Sequence, residues 1–160
     1  MATQTIYYTA LVAHIVGITM VAGTTMADYV IFKQFWKQLE SDRLRAIAIN
    51  KATSKFPMAF GLGFLLLIIS GVTMMYITHG VFGEQTWFRI KFGLLLLIII
   101  NGLVVGRRQV LKLRKLLEWE VPGEDVKNEF LKVKRNISIF HIAQMTLFLI
   151  IFILSVFKFN

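Results

Sequence analysis

Cysteine is absent from this chain, which excludes disulfides, thiolate metal sites and a thiol nucleophile at once, and leaves the redox compartment open. Proline occurs twice, at Pro57 and Pro122, so long helices can run between these two points without interruption. Acidic residues are also scarce, with 9 Asp and Glu against 18 Lys and Arg. Soluble catalytic signatures are missing too: there is no phosphate-cradling glycine loop, no HExxH, no CxxC and no serine elbow. No repeat or low-complexity tract breaks the chain into parts, so it reads as one domain over residues 1–160.

What the chain has in abundance is apolar length. Hydrophobic residues make up 56% of its 160 positions, more than a soluble fold of this size can bury. A bilayer core about 30 Å thick asks for roughly 20 mostly apolar residues per helix. Four such stretches are present, at about Tyr8–Phe32, Phe56–Thr78, Trp87–Val105 and Ile137–Phe157. The expected fold class is therefore all-α, an integral membrane four-helix bundle. Met1–Thr5 carries no charge and no small-residue cleavage site follows the first apolar run, so that run is expected to be a retained span.

The formal charge of +9 is distributed in a way that explains it. Lys33, Lys37, Arg43, Arg45, Lys51 and Lys55 lie between the first and second spans. Arg107, Arg108, Lys112, Arg114, Lys115, Lys127, Lys132, Lys134 and Arg135 lie between the third and fourth. The short turn from His79 to Thr86 carries only Glu84. Short basic loops resist translocation, so segments 33–55 and 106–136 face the cytoplasm and both termini lie outside. The implied location is a cell (inner) membrane of bacterial type, crossed several times. The basic charge is then a topology signal and an attraction to anionic membrane lipids, and does not indicate nucleic acid as a partner.

Both cytoplasmic segments are expected to be helical. Ser41-Asp42 can cap a short amphipathic helix reaching about Lys55, and Pro57 suits the first turn of the second span. The third span continues past the membrane through Leu111, Leu113, Leu116 and Leu117 until Val121-Pro122-Gly123 ends it. A polar helix from near Glu124 then leads back, with Phe130, Leu131 and Val133 placed to pack on those leucines.

Ionisable groups inside a span are costly and mark candidate sites. On the first span His14, Ile18, Val21, Thr25 and Asp28 share one helical face with Gly17 and Thr24 beside it, a polar and small seam that should face the other helices. At a rise of about 1.5 Å per residue, His14 falls near the level of Met74, Met75 and Lys91 in the outer half. Iron held by two axial ligands needs both at one level, so His14 with Met74 or Met75 is an easier pair than His14 with His141, and His14 alone is an equal alternative. Arg89 and Lys91 at the outer edge can meet carboxylates such as haem propionates, or snorkel to the surface. In the inner half Asp28, Asn101, His141 and Arg107 can converge, where pairing would neutralise the carboxylate and offer a proton path or a structural clamp. Ser70-Gly71, with the glycines at 61, 63, 93 and 102, allows close helix approach.

His14, the Lys51 to Pro57-Met58 entry of the second span, Ser70-Gly71 and the Trp87-Phe-Arg89-Ile-Lys91-Phe-Gly-Leu opening of the third together resemble HemJ-type protoporphyrinogen oxidases. Related small four-helix families, including copper-resistance D-like membrane proteins, share the resemblance, which covers about Tyr8 to Gly106. It implies haem b, oxidation of a porphyrinogen and electrons passed towards the respiratory chain. The motif histidine falls on His14 and the motif lysine on Lys91. Where the resemblance implies a Leu-Pro-Arg-like stretch, this chain has Met26-Ala-Asp28-Tyr29, which reverses the local charge.

The leading expectation is a haem b-binding membrane redox protein with a quinone as acceptor or another electron-transfer partner. His14, Met74, Met75, Arg89 and Lys91 are its candidate cofactor residues, and Lys91 and Asp28 its candidate catalytic residues. A second class is a copper-handling or small-solute transport protein, with His14, His79 and His141 as candidate metal ligands and Met20, Met74 and Met75 as soft donors beside the outer histidines. A third is a non-catalytic scaffold acting through its basic cytoplasmic hairpin. A homo-oligomer fits any of these if the glycine-rich faces point outward.

Overall fold

A computed structural model describes residues 2–117 and 124–157, and every described element is helical. Helix α1 (Ala2–Ser41) is followed by α2 (Arg43–Ala52), α3 (Phe56–Ile77), α4 (Thr86–Ile100), α5 (Arg107–Leu117) and α6 (Glu124–Phe157). A 3-10 turn at Thr53–Lys55 joins α2 to α3, another at Val81–Glu84 precedes α4, and a π-helical stretch, Asn101–Gly106, joins α4 to α5 without a break. Four helical stretches are long and apolar enough to cross a membrane: Ala2–Ser41, Arg43–Ile77, Thr86–Leu117 and Glu124–Phe157.

Length divides the molecule into two zones. At about 1.5 Å per residue the 40 residues of α1 extend about 60 Å, twice the thickness of a bilayer core. Half of α1 therefore projects beyond the membrane, as do α5 and the start of α6. Two apolar clusters match these zones. Val21, Leu67, Ile98, Phe148 and Ile151 form the core of the spans. Phe35, Trp36, Ala46, Leu113, Val133 and Ile137 form a second core in the projecting part, with Phe130, Leu116 and Leu117 packed against it. Large apolar side chains elsewhere on the spans, Leu62, Leu65, Val72, Leu97 and Leu149 among them, stay exposed, as a lipid-facing surface requires.

Local chemistry explains the breaks. The Asp42 side chain accepts from the Arg45 backbone N–H at 3.1 Å and starts α2, the capping role its position suggests. Pro57 occupies the first turn of α3. Arg43 reaches across to the last carbonyl of α5, donating from Nη2 to Leu117 O at 2.7 Å, and so satisfies a helix C-terminus from a neighbouring helix. Lys112 pairs with Glu129 and ties α5 to α6, while Lys132 pairs with the same carboxylate from within α6. Lys134 pairs with Glu40 at 3.3 Å while its ammonium sits 5.4 Å from the Trp36 ring centroid.

Three expectations change here. The capped cytoplasmic helix ends at Ala52, and the segment to Lys55 is a 3-10 turn. Leu131 points away from the leucines and is exposed, because on a helix that buries Phe130 and Val133 it falls on the opposite side. Arg107 is exposed at the start of α5 and does not join Asp28. The Val121-Pro122-Gly123 stop lies outside the described residues.

The most extensive helix contact is between α1 and α3, and it depends on two glycines. A Cβ added to Gly17 would lie 2.8 Å from the Gly63 carbonyl oxygen, and one added to Gly63 would lie 2.7 Å from the Met20 Cβ. The backbones meet because neither residue has a side chain.

Candidate functional site

That close crossing brings His14 of α1 against Ser70 and Gly71 of α3. His14 Nδ1 lies 2.9 Å from Ser70 Oγ. The serine hydroxyl has one hydrogen, and it is directed to the Leu66 carbonyl at 2.5 Å, with Leu67 O further away at 3.2 Å. With that hydrogen given to its own helix, Ser70 Oγ can accept from His14, whose proton then sits on Nδ1 and whose Nε2 is the basic nitrogen. This is how ligand histidines are commonly held: one nitrogen donates to a partner while the other faces the ion. The Leu67 backbone gives the ring a further hydrogen-bond partner on α3. Gly71 lies beside the ring, where a Cβ would stand 3.6 Å from His14 Cε1, an ordinary contact. An open groove of about 300 Å³ runs along the outer halves of α1 and α3; Ala13 and Ser70 are in its wall, while His14 and Gly71 are not.

The remaining outer residues arrange themselves around this contact. Lys91, half-buried on α4, is close enough for its charge to act on His14. Arg89 is exposed and its Nε donates to Gly83 O in the outer turn at 3.1 Å. Trp87 is buried and its Nε1 donates to Gln85 Oε1. Met74 and Met75 stand one turn nearer the outer end of α3 than the Ser70–Gly71 pair. The Met75 methyl packs at Gly83, 3.3 Å from where a Cβ would be. His79 is exposed on the outer turn with a left-handed φ of 51°. Among the described residues no three His, Asp or Glu side chains come together, so His14, His79 and His141 are spread along the bundle and form no shared centre.

The inner half holds a separate polar group. His141 is 2% exposed, with Nδ1 2.9 Å from the Ile137 carbonyl and Nε2 3.0 Å from Asp28 Oδ2. Asn101 donates from Nδ2 to Gln144 Oε1 at 2.8 Å. Of the four residues placed together from sequence, Asp28 and His141 meet directly, while Asn101 joins Gln144 one turn further along α6. Gln144 and Ser70 are two side chains at these contacts that sequence reasoning did not single out as hydrogen-bond partners. Gln144 had a readable signal, an amide three residues after a histidine in an apolar run, hence on the same face.

Comparison with known proteins bears on the fold and not on the chemistry. The family of predicted integral membrane proteins designated DUF2269 matches residues 9–159, and the chain belongs to it. No curated protein and no solved structure matches the chain. It is thus an integral membrane protein with four candidate spans, as the apolar runs require.

Proposed function

We propose that this DUF2269 member binds haem b through His14 in the outer half of the bundle and serves as a membrane redox protein. The observation carrying this reading is the Ser70–His14 hydrogen bond, which ties one ring nitrogen to α3 and leaves the other as the candidate ligand. The residues present fit such a group: a nitrogen ligand held by a second partner, a glycine beside it, and Lys91 near enough for its charge to act at the ring.

Haem b supplies one-electron chemistry when bound. The chain's own residues supply the rest. His14 ligates, Ser70 sets its tautomer and ring angle, and Lys91 orients a negatively charged edge of the cofactor or of a carboxylated substrate such as a porphyrinogen. Arg89, exposed at the same end, adds a second cation at the outer surface. An apolar two-electron carrier dissolved in the bilayer, a quinone, is the natural acceptor for a protein whose groove opens along its spans.

The test is the absorption spectrum of detergent-purified protein expressed with ample haem. A Soret band in the wild type that is lost in His14→Ala supports the assignment. Colourless wild-type protein that stays colourless on adding haem b sinks it.

A further inference from the structure

The His141 pair in the inner half plays no part in the haem reading, and its geometry makes a demand of its own. A carbonyl oxygen only accepts, so His141 Nδ1, 2.9 Å from Ile137 O, carries a hydrogen. A carboxylate also only accepts, and Asp28 Oδ2 lies 3.0 Å from Nε2. A neutral imidazole with its hydrogen on Nδ1 would set a lone pair against an anionic oxygen. The contact therefore holds one proton more than a neutral histidine beside an ionised aspartate.

Imidazole is intrinsically a stronger base than a carboxylate, so the extra proton is assigned to the ring. Tyr29, Phe32 and Phe140 surround the imidazole, with ring centroids 5.8, 5.4 and 5.1 Å away. The Asp28 side chain is 42% accessible while that of His141 is 3%, so any route to the pair runs past Asp28.

We propose that Asp28 and His141 form a one-proton site at the cytoplasmic end of the spans, with the proton on His141 Nε2 and Asp28 as the port through which it exchanges with water. The ligand is H⁺ alone, and binding it makes one N–H bond and breaks none in the protein. The groups facing the pair are Tyr29 and Phe32 from α1, Phe140 and the Ile137 carbonyl from α6, and Lys33, whose Nζ lies 4.5 Å from the Tyr29 ring centroid. From the third element, Gly106 of the π-helical stretch lets Phe140 close the cage, since a Cβ there would be 2.9 Å from Phe140 Cζ. Short π-helical segments inside longer helices often mark functional positions. Further along α6 the polar chain continues as Gln144 and Asn101, neutral amides that satisfy each other but take up no proton. The site thus stores a proton drawn from the cytoplasmic side. Removing the proton leaves two acceptors opposed across the α1–α6 contact.

The chain has three histidines, so solid-state NMR of the full protein in bilayers, labelled with 15N-histidine, gives three assignable rings. His14→Ala and His79→Ala identify the His141 signals by elimination. In the wild type both His141 nitrogens are expected to be protonated, and the Nε2 hydrogen is expected to exchange with deuterium in the aqueous phase. In Asp28→Asn the ring becomes neutral, with Nε2 bare and accepting from the amide. A bare Nε2 in the wild type overturns the proposal, and that result needs no variant at position 28 to fold. An Nε2 hydrogen that does not exchange overturns the role of Asp28 as port.

Discussion

A serine hydroxyl has one hydrogen and two lone pairs, and Ser70 gives its hydrogen to its own helix while accepting from His14. Ser70→Ala removes the acceptor at Nδ1 and frees the ring to rotate. Loss of such a partner costs about 10- to 100-fold in affinity at comparable ligand histidines, and titration of the haem-free variant with haem b is expected to show that loss. His14, Asp28 and His141 were legible from sequence because ionisable side chains are rare in apolar runs, where each must find a partner. Ser70 was legible only as a small residue beside a glycine. Its role depends on which carbonyl takes its hydrogen, and no spacing rule states that. Met74 and Met75 illustrate the limit of depth counting: the helical rise placed them level with His14, whereas the tight Gly17–Gly63 crossing sets the register of α3 so that Ser70 and Gly71 meet the ring.

Helices carry the next set of consequences. Gly17→Ala drives a methyl against the Gly63 carbonyl at 2.8 Å and the Leu67 nitrogen at 3.0 Å, both backbone atoms that cannot swing aside. The expected cost is about 1–3 kcal/mol, read as a lower unfolding midpoint in detergent. Gly61→Ala, with nothing within 4 Å of the added atom, is expected to be neutral or slightly stabilising in the same measurement, since alanine is the better helix former. The α5–α6 hairpin has a pH signature outside the membrane. Hydrogen bonds from Lys112 first, then Lys132, hold the Glu129 carboxyl down at about 2, against an ordinary 4.5. A depressed carboxyl contributes stability that is present above its unfolded value and is lost as pH falls through the folded one. Protection against amide hydrogen exchange along α5, taken relative to the intrinsic rate at each pH, is therefore expected to fall between about pH 4.5 and 2, less so in Glu129→Gln. The caps and the early proline of these helices could be read from single residues. The π-helical stretch Asn101–Gly106 could not, because Asn-Gly-Leu-Val-Val-Gly suits an α-helix equally well. The extra residue per turn accompanies the packing of Gly106 on Phe140, a contact between segments far apart in the chain.

At the scale of the whole molecule, the apolar runs made the four-span helical fold readable. Lipid allows few backbone solutions, and an all-helical bundle of about 20-residue spans is one of them. The projecting second core was less visible, because Phe35, Trp36 and Ala46 meet Leu113 and Val133 only once α1 and α5 have run well past the membrane. The absence of cysteine makes orientation directly testable. Glu84→Cys is expected to react with an impermeant maleimide in intact cells, and Lys51→Cys only after the membrane is opened. The central claim, that His14 is the ligand of a bound haem, has its most direct test in chemical rescue. His14→Gly purified with haem b should lack the ligand-bound spectrum of the wild type and regain it when imidazole is added. A His14→Gly spectrum identical to that of the wild type before any imidazole is present would contradict the claim.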